Sequence, residues 1–221
     1  MLNVRDDAAR ATGLDNFGLT LGLRARLSHL GLVGQLMQSA PTFDQALRDY
    51  IANHHRFVRG GATYWVQLPP YLVYNPEDFI VGYCCIVGSA PTVQFSLAAM
   101  GVGSSVFHEL TGHRPKRVYL ALSRHDRISK AIMSMLAPSE IVFDSPHFGL
   151  AYPTELLAQR NKKADAELYS QLSDRMQDYW NGLEPDFVDQ VRRHILPYLF
   201  VKSYHMRDLS DDLRLHARAI V

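Results

Sequence analysis

FIVGYCCIVGSAPTVQFSLAAMGVGSSVF, residues 79–107, runs for 29 residues without a charged side chain. Its first part, FIVGYCCIV, is short, β-branched and aromatic, the pattern of a strand buried on both faces. Gly88, Ser89 and Pro91 interrupt it, and Thr92 is placed to cap a following helix. That helix is expected to run to about Thr111, with Gly112 as the residue that closes it. Ala98, Ala99, Gly101, Gly103, Ser104 and Ser105 give it a small-residue surface. Such a surface lets a second backbone approach closely, so a central helix is expected, pressed on a sheet or on a partner subunit. A membrane span needs about 20 uninterrupted apolar residues. Gly88–Pro91 and Gln94 cut this stretch in two, so a soluble core is expected and no membrane contact.

The whole chain supports that view. Its 221 residues suit one domain with a small appendage, with 47% apolar and 20% charged residues. A net charge of +1 gives no global field toward nucleic acid or anionic lipid. Cys84 and Cys85 are the only cysteines, and adjacent strand residues point to opposite faces. A reducing cytoplasm is the expected compartment. Met1 leads into the polar run 3–10, so no signal peptide is expected.

Working outward, residues 3–40 are helical in character, punctuated by Gly31 and Gly34. Thr42 and Gln45 form a T-x-x-Q capping box. The helix they open, 42–57, carries Phe43, Leu47, Tyr50, Ile51, His54 and Phe57 at helical spacing. ATYWVQLP (62–69) and DFIVGYCCIV (78–87) are strand candidates, and the proline-rich PYLVYNPE between them is expected to be a turn or wide loop. Further strands are expected at 116–122, 140–144 and 149–152, with a short helix at 128–136. A long amphipathic helix follows, with Ala164, Leu168, Leu172, Met176 and Tyr179 on one stripe. The expected fold is α+β, helices packed on a small mixed or antiparallel sheet, then a short all-α fragment. Gly182–Pro185 reads as a linker, dividing the chain into 1–182 and 183–221.

Three patterns recur in order within residues 18–47: G-L-x-L-G at Gly18–Gly22, L-G-x-x-G at Leu30–Gly34, and S-x-P-T-x-x-x-A-L at Ser39–Leu47. Together they resemble the opening of the N-terminal effector domain in a large branch of AraC-type transcriptional regulators, a domain often labelled arabinose-binding. HRPKRV at 113–118 and IVFDSPHFGLAYPTELL at 141–157 match the same family's later strands. The family's Leu-Pro-x-x-Asp is only partly kept, since Asp165 follows RNKKA with no proline. Residues 186–221 resemble the first helix-turn-helix of these regulators, with Leu209, Leu213, Leu215 and Ile220 on core positions. Ser210 and His216 depart from the small residue and the capping serine usual there.

The resemblance implies an effector-sensing and dimerisation region (1–182), attached to a partial DNA-binding domain (183–221), in a cytoplasmic homodimer. Its partners would be a small-molecule effector and, in the full-length regulator, DNA read through residues such as Arg214 and Arg218. Cut within its recognition helix, this chain alone is expected to bind no DNA specifically. The dimer is expected to use the helix at 163–181 or the small-residue helix at 92–111. No cofactor is implied.

Effector pockets are mostly apolar with a few convergent polar groups. Tyr64, Trp65, Tyr71, Tyr74, Tyr83, Phe95 and His54 supply such a set between the sheet and the helix at 42–57, and His108 is a further candidate. HELTGH, 108–113, falls short of a zinc motif: its histidines stand at i and i+5, and Gly112 has ended the helix between them. No metal site is therefore expected. No G-x-S-x-G, P-loop or dinucleotide fingerprint occurs, so no enzyme is expected. Two alternatives stand beside the sensor: a cysteine-dependent enzyme or redox protein built on Cys84 and Cys85, and a ligand-free oligomerisation module.

Overall fold

The computed structural model describes residues 4–57, 66–67, 71–74, 77–83, 85–86, 93–124, 126–145 and 147–180. The chain divides into two compact units, Met1–Met176 and Gln177–Val221. The first is described here. The expected linker at 182–185 and helix-turn-helix fragment at 183–221, with Arg214 and Arg218, lie outside the described residues.

In order come α1 (Val4–Thr12), α2 (Phe17–Gly22), a 3-10 turn at Leu27–Leu30, α3 (Gly31–Ser39) and α4 (Phe43–Phe57). The strands β1 (Val66–Gln67), β2 (Tyr71–Tyr74), β3 (Asp78–Tyr83) and β4 (Cys85–Ile86) follow. After them stand α5 (Val93–Thr111), β5 (Arg117–Tyr119), α6 (Asp126–Leu136), β6 (Glu140–Val142), β7 (Phe148–Pro153), a 3-10 turn at Thr154–Ala158 and α7 (Ala166–Trp180). A five-stranded sheet has the order β2-β3-β7-β5-β6, antiparallel except for the parallel pair β5–β6 that α6 connects. The architecture is α+β with a mixed sheet, as the sequence implied.

Two strand expectations are corrected. Residues 71–74, expected as a turn or wide loop, form β2 and pair with β3 from Tyr71↔Gly82 to Tyr74↔Phe79. Flanking prolines do not prevent this, because β2 is the edge of its sheet and Leu72, Val73 and the two tyrosines suit a pleated surface. The single strand expected over 78–87 is split. β3 lies in the five-stranded sheet, whereas β4 pairs with β1 in a separate two-stranded one.

All six residues of β3 are buried: the uncharged run accounts for Phe79–Tyr83, and Asp78 is buried with two cationic partners. Strand alternation places Phe79, Val81 and Tyr83 on one face, beside their cross-strand partners Tyr152, Leu150 and Phe148 of β7. That face packs on α4 and α5: Phe43 of α4 lies 6.2 Å from Phe79, and Phe107 of α5 lies 6.0 Å from Tyr152. The other face carries Asp78, Ile80 and Gly82. There the buried Asp78 carboxylate accepts from Lys116 Nζ (3.0 Å) and Arg117 Nη1 (2.7 Å), tying β3 to β5.

The helix α5 occupies 93–111, and Gly112 closes it with φ +78 while donating to the His108 carbonyl at 2.8 Å. Thr92, its expected cap, lies outside the described residues. Its small-residue surface meets α2 of the same chain. A Cβ on Gly18 would fall 1.9 Å from the Gln94 carbonyl oxygen, and one on Gly101 would fall 2.7 Å from that of Leu19. Gln94, which breaks the apolar run in sequence, clamps this contact: its Oε1 accepts from Gly18 N–H (2.7 Å) and its Nε2 donates to Asp15 O (2.8 Å). The capping box is half formed. Gln45 N–H donates to Thr42 Oγ1 at 3.3 Å, but the Gln45 amide turns away to Asp49. On α7, Leu172 and Met176 are buried while Leu168 is 43% exposed. A repeat of four drifts about 40° per step, so Tyr169 replaces Leu168 on the inner stripe.

Candidate functional site

Three tyrosines from three elements end in one enclosed region. Tyr50 comes from α4, Tyr83 from β3 and Tyr152 from β7, at 2%, 3% and 0% exposure. Their walls are aromatic. Phe107 meets Tyr50 edge-on at 5.6 Å and Phe43 at 5.5 Å, and Phe79 stacks on Tyr152 at 5.7 Å. Such pairs add about 0.5–1.5 kcal/mol beyond area burial. Gly103 of α5 admits the Tyr83 hydroxyl, which would lie 1.9 Å from a Cβ placed there.

The polar ends of these rings are the unusual feature. The hydroxyls of Tyr83 and Tyr152 are buried and neither forms an aligned hydrogen bond. Tyr83 lies close enough to Tyr50, and Tyr152 to Ser104, for each pair to influence ionisation, yet the alignment falls short of a hydrogen bond. Burial pushes all three phenols up, and for Tyr83 the neighbouring Tyr50 and Tyr152 add to it. They therefore remain protonated donors at any physiological pH. A buried hydroxyl without a partner costs about 1–3 kcal/mol, so a folded chain that keeps two is expected to use them.

Of the residues singled out from sequence, Tyr83 is in this cluster. Phe95 is half-buried near the start of α5. His108 is exposed on the far end of α5, its Nδ1 3.3 Å from the His113 carbonyl oxygen. His54, Tyr71 and Tyr74 lie on α4 and β2, while Tyr64 and Trp65 lie outside the described residues. Tyr50, Tyr152, Ser104 and Gly103 were not singled out as site residues. The signal for Tyr50 was available in the apolar stripe of α4. That for Tyr152 was not, because only the register Phe79↔Tyr152 brings it beside β3.

One residue along from Tyr50, α4 turns a second polar side chain outward. Asp49 accepts from Tyr169 Oη of α7 (3.0 Å) on Oδ2 and from Gln45 Nε2 (3.1 Å) on Oδ1. Burial pushes the Asp49 carboxyl up against the hydrogen bonds from Tyr169 and Gln45. Burial, then the Asp49 charge, pushes the Tyr169 phenol up to about 12. On the far side of the sheet His147 stacks on Tyr119 at 5.7 Å, and burial lowers its pKa to about 4. A shallow groove between α4, α5 and the segment 159–161, with no room for a water molecule, is lined by Phe43, Leu110, Thr111 and Gln159 among others. It is open and crossed by structural bonds, including Gln159 Nε2 to Thr111 O at 3.2 Å. Among the described residues no three His, Cys, Asp or Glu side chains gather as a metal would need, and no helix is long and apolar enough to cross a membrane.

Residues 1–161 match the family profile described as the arabinose-binding domain of AraC transcription regulator, N-terminal. The fold is similar to the crystal structure of transcriptional regulator CdpR from Pseudomonas aeruginosa, with a TM-score of 0.58 at 17% sequence identity. That likeness covers 92% of this chain and 65% of CdpR, so this chain spans less than two thirds of that protein's length. No curated protein matches the chain.

Proposed function

The chain belongs to the family of N-terminal arabinose-binding domains of AraC transcription regulators, and from that premise we propose that it senses a small-molecule effector with the Tyr50–Tyr83–Tyr152 cluster. The observation that carries this reading is the pair of enclosed hydroxyls, on Tyr83 and Tyr152, left without aligned partners among aromatic walls. An effector that accepts from them would bind best to the conformation exposing them to it, and so would shift the population of states. Residues 183–221, with Arg214 and Arg218, are the start of the DNA-binding domain in this proposal, and regulation is a change in how paired copies present that domain. His54, Tyr71 and Tyr74 are kept as candidate lining residues, along with Tyr64, Trp65 and Phe95.

The small-residue face of α5 is already covered by α2, which favours α7 as the dimer contact. Among the described side chains of α7, Leu168 is the exposed large apolar one, whereas Leu172 and Met176 are buried. Leu168→Glu is expected to halve the mass by light scattering without loss of fold. The role is that of a cytoplasmic sensor rather than a catalyst.

Thermal shift with a library of apolar, carboxylate, amine and hydroxylated ligands tests the proposal. A true effector at 100 times its Kd adds about 2.7 kcal/mol, which for a domain of this size raises Tm by about 5–10 °C. The rise should shrink in Tyr83→Phe. No shift with any class would end the sensor reading.

A further inference from the structure

Resting on that sensor reading, we propose that the Asp49–Tyr169 hydrogen bond is the positioning contact that couples the buried tyrosine cluster to α7. The argument begins with α4. Tyr50 is held inside the domain by Phe107, and its neighbour Asp49 projects to the surface of α4 facing α7. A helix moves nearly as a rigid body, so a displacement of Tyr50 is carried to Asp49 one residue away. The bond there runs from a phenol that stays protonated to a carboxylate, at 3.0 Å. Gln45 on the preceding turn of α4 fixes the other carboxylate oxygen, so the acceptor keeps its orientation.

The receiving end is equally constrained. Asp165 caps α7, its Oδ1 accepting from Leu168 N–H at 3.0 Å, and Asp165 N–H donates to Ser39 O at 3.0 Å. Asn161 Nδ2 donates to Met37 O (2.9 Å) and Gln38 O (2.8 Å). The start of α7 is thus pinned to the α3–α4 junction. Tyr169, one turn further on, is the side-chain hydrogen bond from the body of α7 to α4 among the described residues. Ser173 Oγ donates to the Tyr169 carbonyl at 2.8 Å, one turn later. A pinned start, a polar latch one turn along and the buried Leu172 and Met176 beyond it set the lie of α7, and the latch is the part of that contact that Asp49 controls. In sequence α7 leads directly to residues 181–221, so its set is the quantity a regulator would need to control.

The test needs no effector. Amide hydrogen exchange of the α7 segment 166–180 is followed by mass spectrometry in the whole chain, with Tyr83→Phe perturbing the cluster. Tyr169→Phe alone is expected to speed α7 exchange about tenfold, the loss of one hydrogen bond to a carboxylate. Tyr83→Phe is expected to change α7 exchange at least about threefold when Tyr169 is present and not when it is Phe. Asp49→Ala should abolish the coupling, and Asp49→Asn, which keeps a neutral acceptor, should restore part of it. A merely structural bond would show the Tyr169 effect without the dependence on Tyr83. An equal Tyr83→Phe effect in both backgrounds, or none in either, overturns the proposal. Failure of the sensor reading would show separately, as the absence of any ligand-induced thermal shift.

Discussion

Replacing Tyr83 by Phe removes one oxygen from an enclosed position in the domain, and the expected result is a gain in stability. The hydroxyl is buried, lacks an aligned hydrogen bond and presses on α5 at Gly103, where a Cβ would fall 1.9 Å away. Unfolding returns it to water, so the folded state bears a desolvation cost of about 1–3 kcal/mol that Phe does not. Loss of the oxygen leaves a gap smaller than a methyl group, worth roughly 0.5 kcal/mol in the other direction. The net expectation is stabilisation of about 1 kcal/mol, or about 2–4 °C in Tm at this chain length. Urea unfolding of wild type, Tyr83→Phe, Tyr50→Phe and the double variant measures it and isolates the Tyr50–Tyr83 pair. If Tyr83→Phe instead loses 1 kcal/mol or more, with coupling to Tyr50, then Tyr83 donates a full hydrogen bond to Tyr50. The cluster would then be a satisfied core, and the case for its use by a ligand would fall with it. A stabilised variant that also loses effector affinity about tenfold is the signature of a site that trades stability for binding.

Gly18→Ala is expected to cost at least about 3 kcal/mol despite the higher helix propensity of Ala, since its Cβ meets the Gln94 backbone rather than a movable side chain; near-neutral denaturation would mean α2 and α5 part easily. Because the His147 pKa of about 4 lies below the ordinary 6.5, the unfolded chain binds the extra proton between those values. Stability is therefore full above pH 6.5 and falls as pH drops toward 4, by about 2 kcal/mol once the incomplete burial of the side chain is discounted. His147→Gln should flatten that slope in a pH series of urea melts. Asp49 acts in the opposite sense: its carboxyl is pushed up from 3.8 by burial, so stability declines as pH rises past that value. Asp78→Ala should cost about 2–3 kcal/mol by urea unfolding, less than the 3–5 of a fully buried pair, because Lys116 and Arg117 keep 38% and 31% of their side chains exposed and can return to water.

How much of this was legible in the sequence depends on the range of the interaction. The uncharged run 79–107 announces β3 and α5 because burial of both is a local compositional property. Gly112 announces the end of α5 because a left-handed backbone is a one-residue requirement. β2 was missed because Pro69, Pro70, Asn75 and Pro76 are turn formers. What makes 71–74 a strand is the edge of β3, five to eleven residues further along the chain, which offers Gly82 to Phe79 for pairing. Tyr50 and Tyr152 stand 102 residues apart, one marked only as helix stripe and the other as strand, and no local pattern says that they converge.

The family patterns themselves turn out to be packing instructions. Gly18 and Gly22 of G-L-x-L-G sit where a Cβ would strike the backbone of α5. In L-G-x-x-G, Gly31 takes φ +57 and a Cβ on Gly34 would fall 1.9 Å from the Leu27 carbonyl oxygen. In S-x-P-T-x-x-x-A-L, the Ser39 and Pro41 carbonyls accept from Asp165 and Asn161, Thr42 bridges to Arg160, and Ala46 and Leu47 are fully buried. Most of the matched positions thus hold α2, α3, α4 and the approach to α7 against the rest, Leu21 at 45% exposure being an exception. Membership of the family accordingly specifies the scaffold and leaves the effector open. The groups that would choose it, Tyr50, Tyr83, Tyr152 and Ser104, lie outside these three patterns, on elements the patterns merely position. A relative that keeps every glycine and changes those four residues should therefore keep this fold and answer to a different small molecule.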